Sequence, residues 1–241
     1  MIIKEAPWEK RNLNVNAVEF YLEQNEGETL GDSVLNDQVH DYQVAHVPIK
    51  NINAIKKLST NGFYFIETKL YLTASLKELT LPKVFTRFVD SMSYREAKSS
   101  ADIQSIYDSI KNGVFDTDKI ALDEKFSLEA SAHRYYCWAK DEIEKGTSLP
   151  YLVQVDGVDI GFFILKIDGR IADSFLAGLF DNSASSGLGF STLYFPMLEA
   201  NKKGCTKIVT GVSSNNIDSV KTHLSLGYRI KELEYIFIKH I

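Results

Sequence analysis

The chain has 241 residues, 44% of them hydrophobic and 24% charged, a globular balance that is long enough to bury a substantial core. The formal net charge of -5 offers no basic footprint for nucleic acid. No window has the apolar length of a membrane span, and the start, MIIKEAPWEKRNLN, lacks the apolar centre of a signal peptide, so a cytoplasmic protein is expected.

Near the start, EQNEGETLGDSVLND is rich in Asn and Glu and reads as a loop. YQVAHVPI then reads as a strand and NINAIKKLSTNG as a helix with a second strand after it. A polar link near LPKVFTRFVDSMSYREAKSS, next to an edge strand, suggests a boundary, giving units 1–92 and 93–241. Beyond it, ADIQSIYDSIKNG has helical spacing at Ile103, Ile106, Tyr107 and Ile110. SLEASAHRYYCWAKDEIEKG is a second helix, with Ser127 as N-cap and Gly146 as its close. YLVQVDGVDIGFFILKIDGRIADSFLAGLF gives three strands joined by two Asp-Gly hairpins. A helix from Thr192 to about Lys202, the strand TKIVTGV, the helix NIDSVKTHLSLG and the strand KELEYIFIK complete the order α-α-β-β-β-α-β-α-β. Cys137 and Cys205 are the only cysteines. Neither has a ligand-like spacing, so two reduced thiols and no metal are expected.

An internal echo crosses the boundary. NINAIKKLSTNGFYFIETKLYL from Asn51 and NIDSVKTHLSLGYRIKELEYIF from Asn216 align without a gap, with Asn, Ile, Lys, Gly and Glu coinciding. The first copy is a partial duplicate of the last strand-helix-strand unit. It has no counterpart of the glycine loop that precedes the second copy.

That loop, DNSASSGLG, runs from a strand into a helix. A helix start exposes unpaired N–H groups and the positive end of its dipole, and glycines let an anion approach them. A loop that simply caps the helix is the plainer alternative. Gly178 inside the upstream strand marks a bulge or a close backbone approach.

Strand, ASSGLG loop and helix together resemble the acetyl-CoA motif of the GNAT superfamily of N-acetyltransferases, Gln/Arg-x-x-Gly-x-Gly/Ala, with Ala184 in place of Gln or Arg. NIDSVKTHLSLGY is similar to the superfamily's Asn-x-x-Ala-x-x-x-Tyr-x-x-x-Gly-Phe element. Asn216, Ser219, Gly227 and Tyr228 match, and His223 stands at the Tyr. This likeness covers about Ser93 to Ile241. APWEKRNLNV, the 51–72 segment and SAHRYYCWAKDEIEKG extend it to the dTDP-fucosamine acetyltransferase branch.

The resemblance implies a mixed α/β GNAT fold: a central splayed sheet, with a truncated GNAT-like lobe in front of the catalytic one. It implies acetyl-CoA as acyl donor and a small-molecule amine as acceptor, in this branch a nucleotide-linked amino sugar. Another amine acceptor, or acyl-CoA binding without catalysis, stays open, as does a homodimer. Ser185, Ser186, Gly187, Leu188, Gly189 and Phe190 would hold the pyrophosphate. Leu176, Ala177, Gly178 and Leu179 would pair with the pantetheine amides, and Asn216 would reach the CoA arm or serve as an ordinary N-cap. His223 would protonate the departing thiolate, against the alternative of a packed helix residue; Leu58 at the echo position is apolar. Asp173 is a candidate base, although bulk water could suffice. Glu129 and His133 share a helix face and, with Tyr136 and Trp8, are acceptor-site candidates or simply structural.

Overall fold

The computed structural model describes residues 1–24, 26, 31, 35, 39–180 and 187–241. In the N-terminal part lie β1 (Ile2–Glu5), α1 (Pro7–Leu13), β2 (Ala17–Tyr21), β3 (Tyr42–Pro48), α2 (Ile52–Thr60) and β4 (Tyr64–Ser75). Next come α3 (Lys83–Val89), β5 (Met92–Glu96), α4 (Ser100–Lys111), α5 (Leu128–Glu144), β6 (Ser148–Val155), β7 (Val158–Asp168) and β8 (Ile171–Leu179). The chain ends with α6 (Phe190–Lys202), β9 (Lys207–Ser213), α7 (Ile217–Ser225) and β10 (Arg229–His240). Among the described residues ten strands share one mixed sheet, in the order β1-β2-β3-β10-β4-β9-β8-β7-β6-β5.

Local chemistry explains most of the boundaries. Ser99 and Asp102 form a reciprocal capping box at the start of α4, and Ser127 accepts from Ala130 N–H to start α5. Gly146 ends α5 at φ 68°. The β6–β7 hairpin turns on Asp156 and Gly157, both at positive φ, as a two-residue primed turn requires. The β7–β8 turn is displaced by one residue: Asp168 pairs with Ile171, leaving Gly169 and Arg170 as the loop. Neither β1 nor β2 stands out in the sequence, and α3 occupies part of the expected polar link.

The echo is a two-fold relation within the sheet. The shift that takes Asn51 to Asn216 also takes Pro48 to Ser213 and Lys69 to Glu234. The register obeys it: Glu234 pairs with Pro48, and Lys69 pairs with Ser213. The central β4–β10 ladder maps onto itself about the pair Glu234–Lys69, with a bulge on each side at matching positions. Order β1-β2-β3-β10 thus mirrors β7-β8-β9-β4. The last strand of each half lies inside the other half's sheet, so both halves share one continuous sheet.

Alternation buries both faces. Tyr42 and Val44 of β3 pack with Ile120, Ile236 and Ile238 on the α1/α5 side. Ala45 and Val47 face α2 through Ala54 and Leu58 on the other. The largest core joins Leu70, Leu72, Phe163 and Ile208 to Phe195 and Ala200 of α6. On the opposite face, Leu152, Phe162 and Ile164 pack against Ile106, Ile110 and Ala139 of α4 and α5. Arg134 of α5 donates to Glu9 of α1 at 2.7 Å in a buried pair that ties the two halves. No helix among the described residues is long and apolar enough to cross a membrane.

Candidate functional site

The sheet opens between β8 and β9. Their parallel pairing covers only Ile171–Asp173 against Lys207–Val209, yet both strands continue. Thr210 Oγ1 donates to the Ser174 carbonyl at 2.8 Å, closing the apex where backbone pairing stops. Beyond it, Ser174–Leu179 keeps β7 on one side and, among the described residues, has no strand on the other. Gly211, in the middle of the sheet order, is consequently exposed.

The cause is a bulge. Leu176 pairs with Ile164 and Ser174 with Leu165, so Phe175 is an extra residue on β8. A bulge bends its strand, which turns β8 away from β9. The sequence signal at Gly178 has a different origin. Gly178 pairs regularly with Phe162, and a Cβ there would lie 2.9 Å from Val114 Cγ2. It is a close-approach glycine, and the bulge is three residues earlier.

The mirrored strands show what a closed version looks like. β2 and β3 pair over the equivalent residues and continue through Phe20–Ala45 and Tyr21–His46. The β1–β2 register has no bulge. Tyr21 and His46 stand where Phe175 and Gly211 stand at the opening, and their rings stack at 4.2 Å. His46 lies 3.2 Å from Glu234 and 3.7 Å from Glu19, which Lys119 reaches at 2.9 Å. The hydroxyls of Tyr21 and Tyr71 donate to Glu19 and Glu234. This packed network fills the place that is open between β8 and β9.

At the open end lies the start of α6. Gly187 has φ 85°, a conformation that favours glycine. Gly189, the N-cap, has φ -55°, and among the described residues a Cβ there would meet only Leu179 Cδ1 at 3.8 Å. Among the described residues, neither conformation nor packing demands glycine at 189, and no side chain caps the helix start. Leu188 and Phe190 pack into the core. Ser185 and Ser186 lie outside the described residues.

Asn216 caps α7, accepting from Ser219 N–H at 3.1 Å. Its twin Asn51 caps α2 in the same way, and the amide nitrogen of Asn51 also donates to Glu23 O at 3.0 Å. The Asn216 amide nitrogen has no hydrogen-bond partner among the described residues. His223 is 4% exposed and occupies the position of fully buried Leu58. Its Nδ1 lies 2.8 Å from the Ser219 carbonyl, so the neutral ring carries its hydrogen there. Nε2 has no partner among the described residues. Burial pulls the His223 pKa below its ordinary value. Asp173 sits at the apex of the opening, opposite Lys166, and burial pushes its carboxyl up against the pull of Lys166 and Lys69.

The remaining sequence candidates do not gather at the opening. Glu129 is exposed in the first turn of α5, where Ser127 holds its carboxyl below the ordinary value. His133 is exposed and lies 3.4 Å from the Cys137 sulfur. Tyr136 packs edge-on against Tyr107 of α4, under the Lys111 ammonium. Trp8 donates to Glu9 at 3.1 Å beside the α1–α5 ion pair. It is Trp138, on the sheet-facing side of α5, that reaches the opening, 5.1 Å from the Phe175 ring.

Sequence reading also missed Lys69 and Glu67. Lys69 runs across Gly211, where a Cβ would lie 3.2 Å from its Cε. Burial lowers its pKa, and nearby Lys119 lowers it further. The one prior signal was the coincidence of Glu67 with Glu232 in the echo.

No family model and no curated protein matches the chain. Solved structures match it in fold. A GCN5-related N-acetyltransferase from Sphaerobacter thermophilus superposes with a TM-score of 0.59 at 12% identity, over 83% of this chain and 59% of that one. A GCN5-related glucosamine N-acetyltransferase region of a fungal multi-domain GH3 beta-N-acetylglucosaminidase gives 0.61 at 12% identity, over 85% and 26%. A tandem GNAT protein from the clavulanic acid biosynthesis pathway gives 0.51 at 10% identity, over 87% and 67%. The chain therefore has the fold of the GCN5-related N-acetyltransferases, and it spans about three fifths of the Sphaerobacter protein.

Proposed function

We propose that the chain is an acyl-CoA-dependent N-acetyltransferase that moves an acetyl group from acetyl-CoA to a small primary amine. One observation carries the reading. Of two copies of the same strand unit, one is closed by a packed polar network, and the other is bulged open beside a glycine-led helix start. A long ligand with an anionic middle fits the open copy: the helix N-terminus for its pyrophosphate, the free edge of Leu176–Leu179 for its amides. A nucleotide-linked amino sugar is the acceptor we favour, since the exposed Trp138 ring offers an apolar face to a sugar.

In the reaction the amine nitrogen attacks the thioester carbon, the C–N bond forms and the C–S bond breaks. A backbone N–H of the free β8 edge supports the carbonyl oxygen as it gains charge. Thiol release from acetyl-CoA across aliphatic amines, polyamines and dTDP- and UDP-linked amino sugars tests the reading. Calorimetry should show one acetyl-CoA bound per chain. Saturation at two would mean that the closed copy also binds.

His223 is our candidate for protonating the thiolate. Its neutral form offers no proton at Nε2, so the acid is the imidazolium. That form is lost as pH rises through a pKa below 6.5. With chemistry rate-limiting, His223→Phe should lower kcat by about 10² at the acid end of the activity range, the usual scale for a lost general acid, and the gap should shrink as pH rises. A kcat near wild type across the whole pH range would leave His223 the packing role of Leu58.

A further inference from the structure

We propose that Glu67, a residue of the N-terminal half, takes the proton that the acceptor ammonium must lose. This rests on the acyltransferase reading and adds to it a residue from outside the catalytic half.

Lys69 pairs with Ser213 and Tyr71 with Gly211, so the alternate residues Glu67, Lys69 and Tyr71 look onto the face where the opening emerges. Glu67 lies one step beyond Lys69, where β9 ends and the chain turns toward Asn216; Ser214 N–H still donates to Thr68 O there at 2.8 Å. Asp173, by contrast, sits at the closed apex, where β8 and β9 are still paired.

Glu67 is 4% exposed. Its Oε1 accepts from Lys119 N–H at 3.0 Å, and the Ser213 hydroxyl also favours its charged form. No ion pair to it occurs among the described residues. Glu19, the buried carboxylate of the closed copy, differs: Lys119 Nζ contacts it at 2.9 Å, and its pKa falls far below the ordinary value. A buried carboxylate without a contacting cation holds its charge at a free-energy cost. Burial accordingly raises the Glu67 pKa, with Asp118 adding to the rise and Lys119 and Lys69 opposing it. Tyr135 of α5 also feels its charge. A carboxyl raised toward working pH is a better proton acceptor than an ordinary one.

The repeat supplies the comparison. Glu232 is the twin of Glu67, and it is exposed. The same residue type stands in both copies and is buried only beside the opening.

The step balances. The Glu67 carboxylate takes one proton from the ammonium, directly or across one water. The freed lone pair attacks the thioester carbon; C–N forms and C–S breaks. The second nitrogen proton leaves as the thiolate gains one, giving amide and free thiol. Glu67 then returns its proton to solvent.

Glu67→Gln keeps an acceptor for Lys119 N–H and removes the base. Against a basic aliphatic amine at pH 7, kcat/KM should fall by about 10². Against hydroxylamine, which arrives largely neutral, the loss should shrink to a few-fold. In wild type, kcat/KM for the basic amine should rise with pH through the elevated Glu67 pKa, and the variant should lack that inflection. Acetyl-CoA affinity by calorimetry and the melting temperature should stay near wild type, and Glu232→Gln should change nothing. Equal losses with both amines would mark a packing or positioning role and overturn the proposal, as would an unchanged kcat/KM. If wild type binds acetyl-CoA but releases no thiol with any amine, the acyltransferase reading itself falls and takes this proposal with it.

Discussion

Gly189→Glu is expected to raise the Kd for acetyl-CoA by about 10³ and to leave the melting temperature unchanged or slightly higher. The two effects have opposite signs for separate reasons. At φ -55° the backbone accepts any L residue, and the nearest atom to a new Cβ among the described residues is 3.8 Å away. A carboxylate at a helix N-terminus is favourable for the helix, by roughly 0.3–1 kcal/mol. The ligand meets the reverse. A carboxylate about 4 Å from a pyrophosphate charge is opposed by about 4 kcal/mol at an effective dielectric of 20, which is about three decades in affinity. Calorimetry and a thermal melt on the same preparation check both. Unchanged affinity in a folded variant would move the pyrophosphate away from α6. Gly187→Glu is a poorer test, because φ 85° strains the variant whatever it binds.

Much of the frame was legible because local chemistry writes it. Ser127, Gly146 and the Asp156-Gly157 turn act through their own backbone and stand where the sequence puts them. The echo was legible too, since it needs only matching residues at a constant shift. Its consequence was not. Nothing local says that β10 lies between β3 and β4, and it is this exchange that brings Lys69 and Glu67 beside β9. The bulge at Phe175 was hidden because an aromatic residue carries no bulge signature, whereas Gly178 does. On α5, the spacing of Glu129 and His133 showed that they share a face. Which face meets the sheet depends on partners elsewhere in the chain: Phe175 receives Trp138, and Glu9 receives Arg134.

Gly211→His should be as damaging to acetyl-CoA binding as the charge at 189, and by a different route. It places at the opening the residue that fills the closed copy. His46 stacks on Tyr21 there, and Phe175 holds the place of Tyr21 at the opening, so an imidazole at 211 has an aromatic partner ready across the gap. The backbone permits it, since Gly211 is not among the glycines at positive φ. The nearest obstacle is Lys69 Cε, 3.2 Å from the new Cβ, and that side chain is flexible enough to give way. The variant should therefore fold, with a melting temperature at or above wild type, because an exposed glycine in a strand gains a packed ring. Acetyl-CoA affinity should fall by about 10³ or more, since a ligand that must expel the ring forfeits its own contacts with the strand edge. Gly211→Ala separates filling from crowding. A methyl group displaces Lys69 slightly but cannot span the gap, so affinity should stay within a few-fold of wild type. If histidine and alanine behave alike at 211, with wild-type affinity in both, the ligand does not pass between β8 and β9.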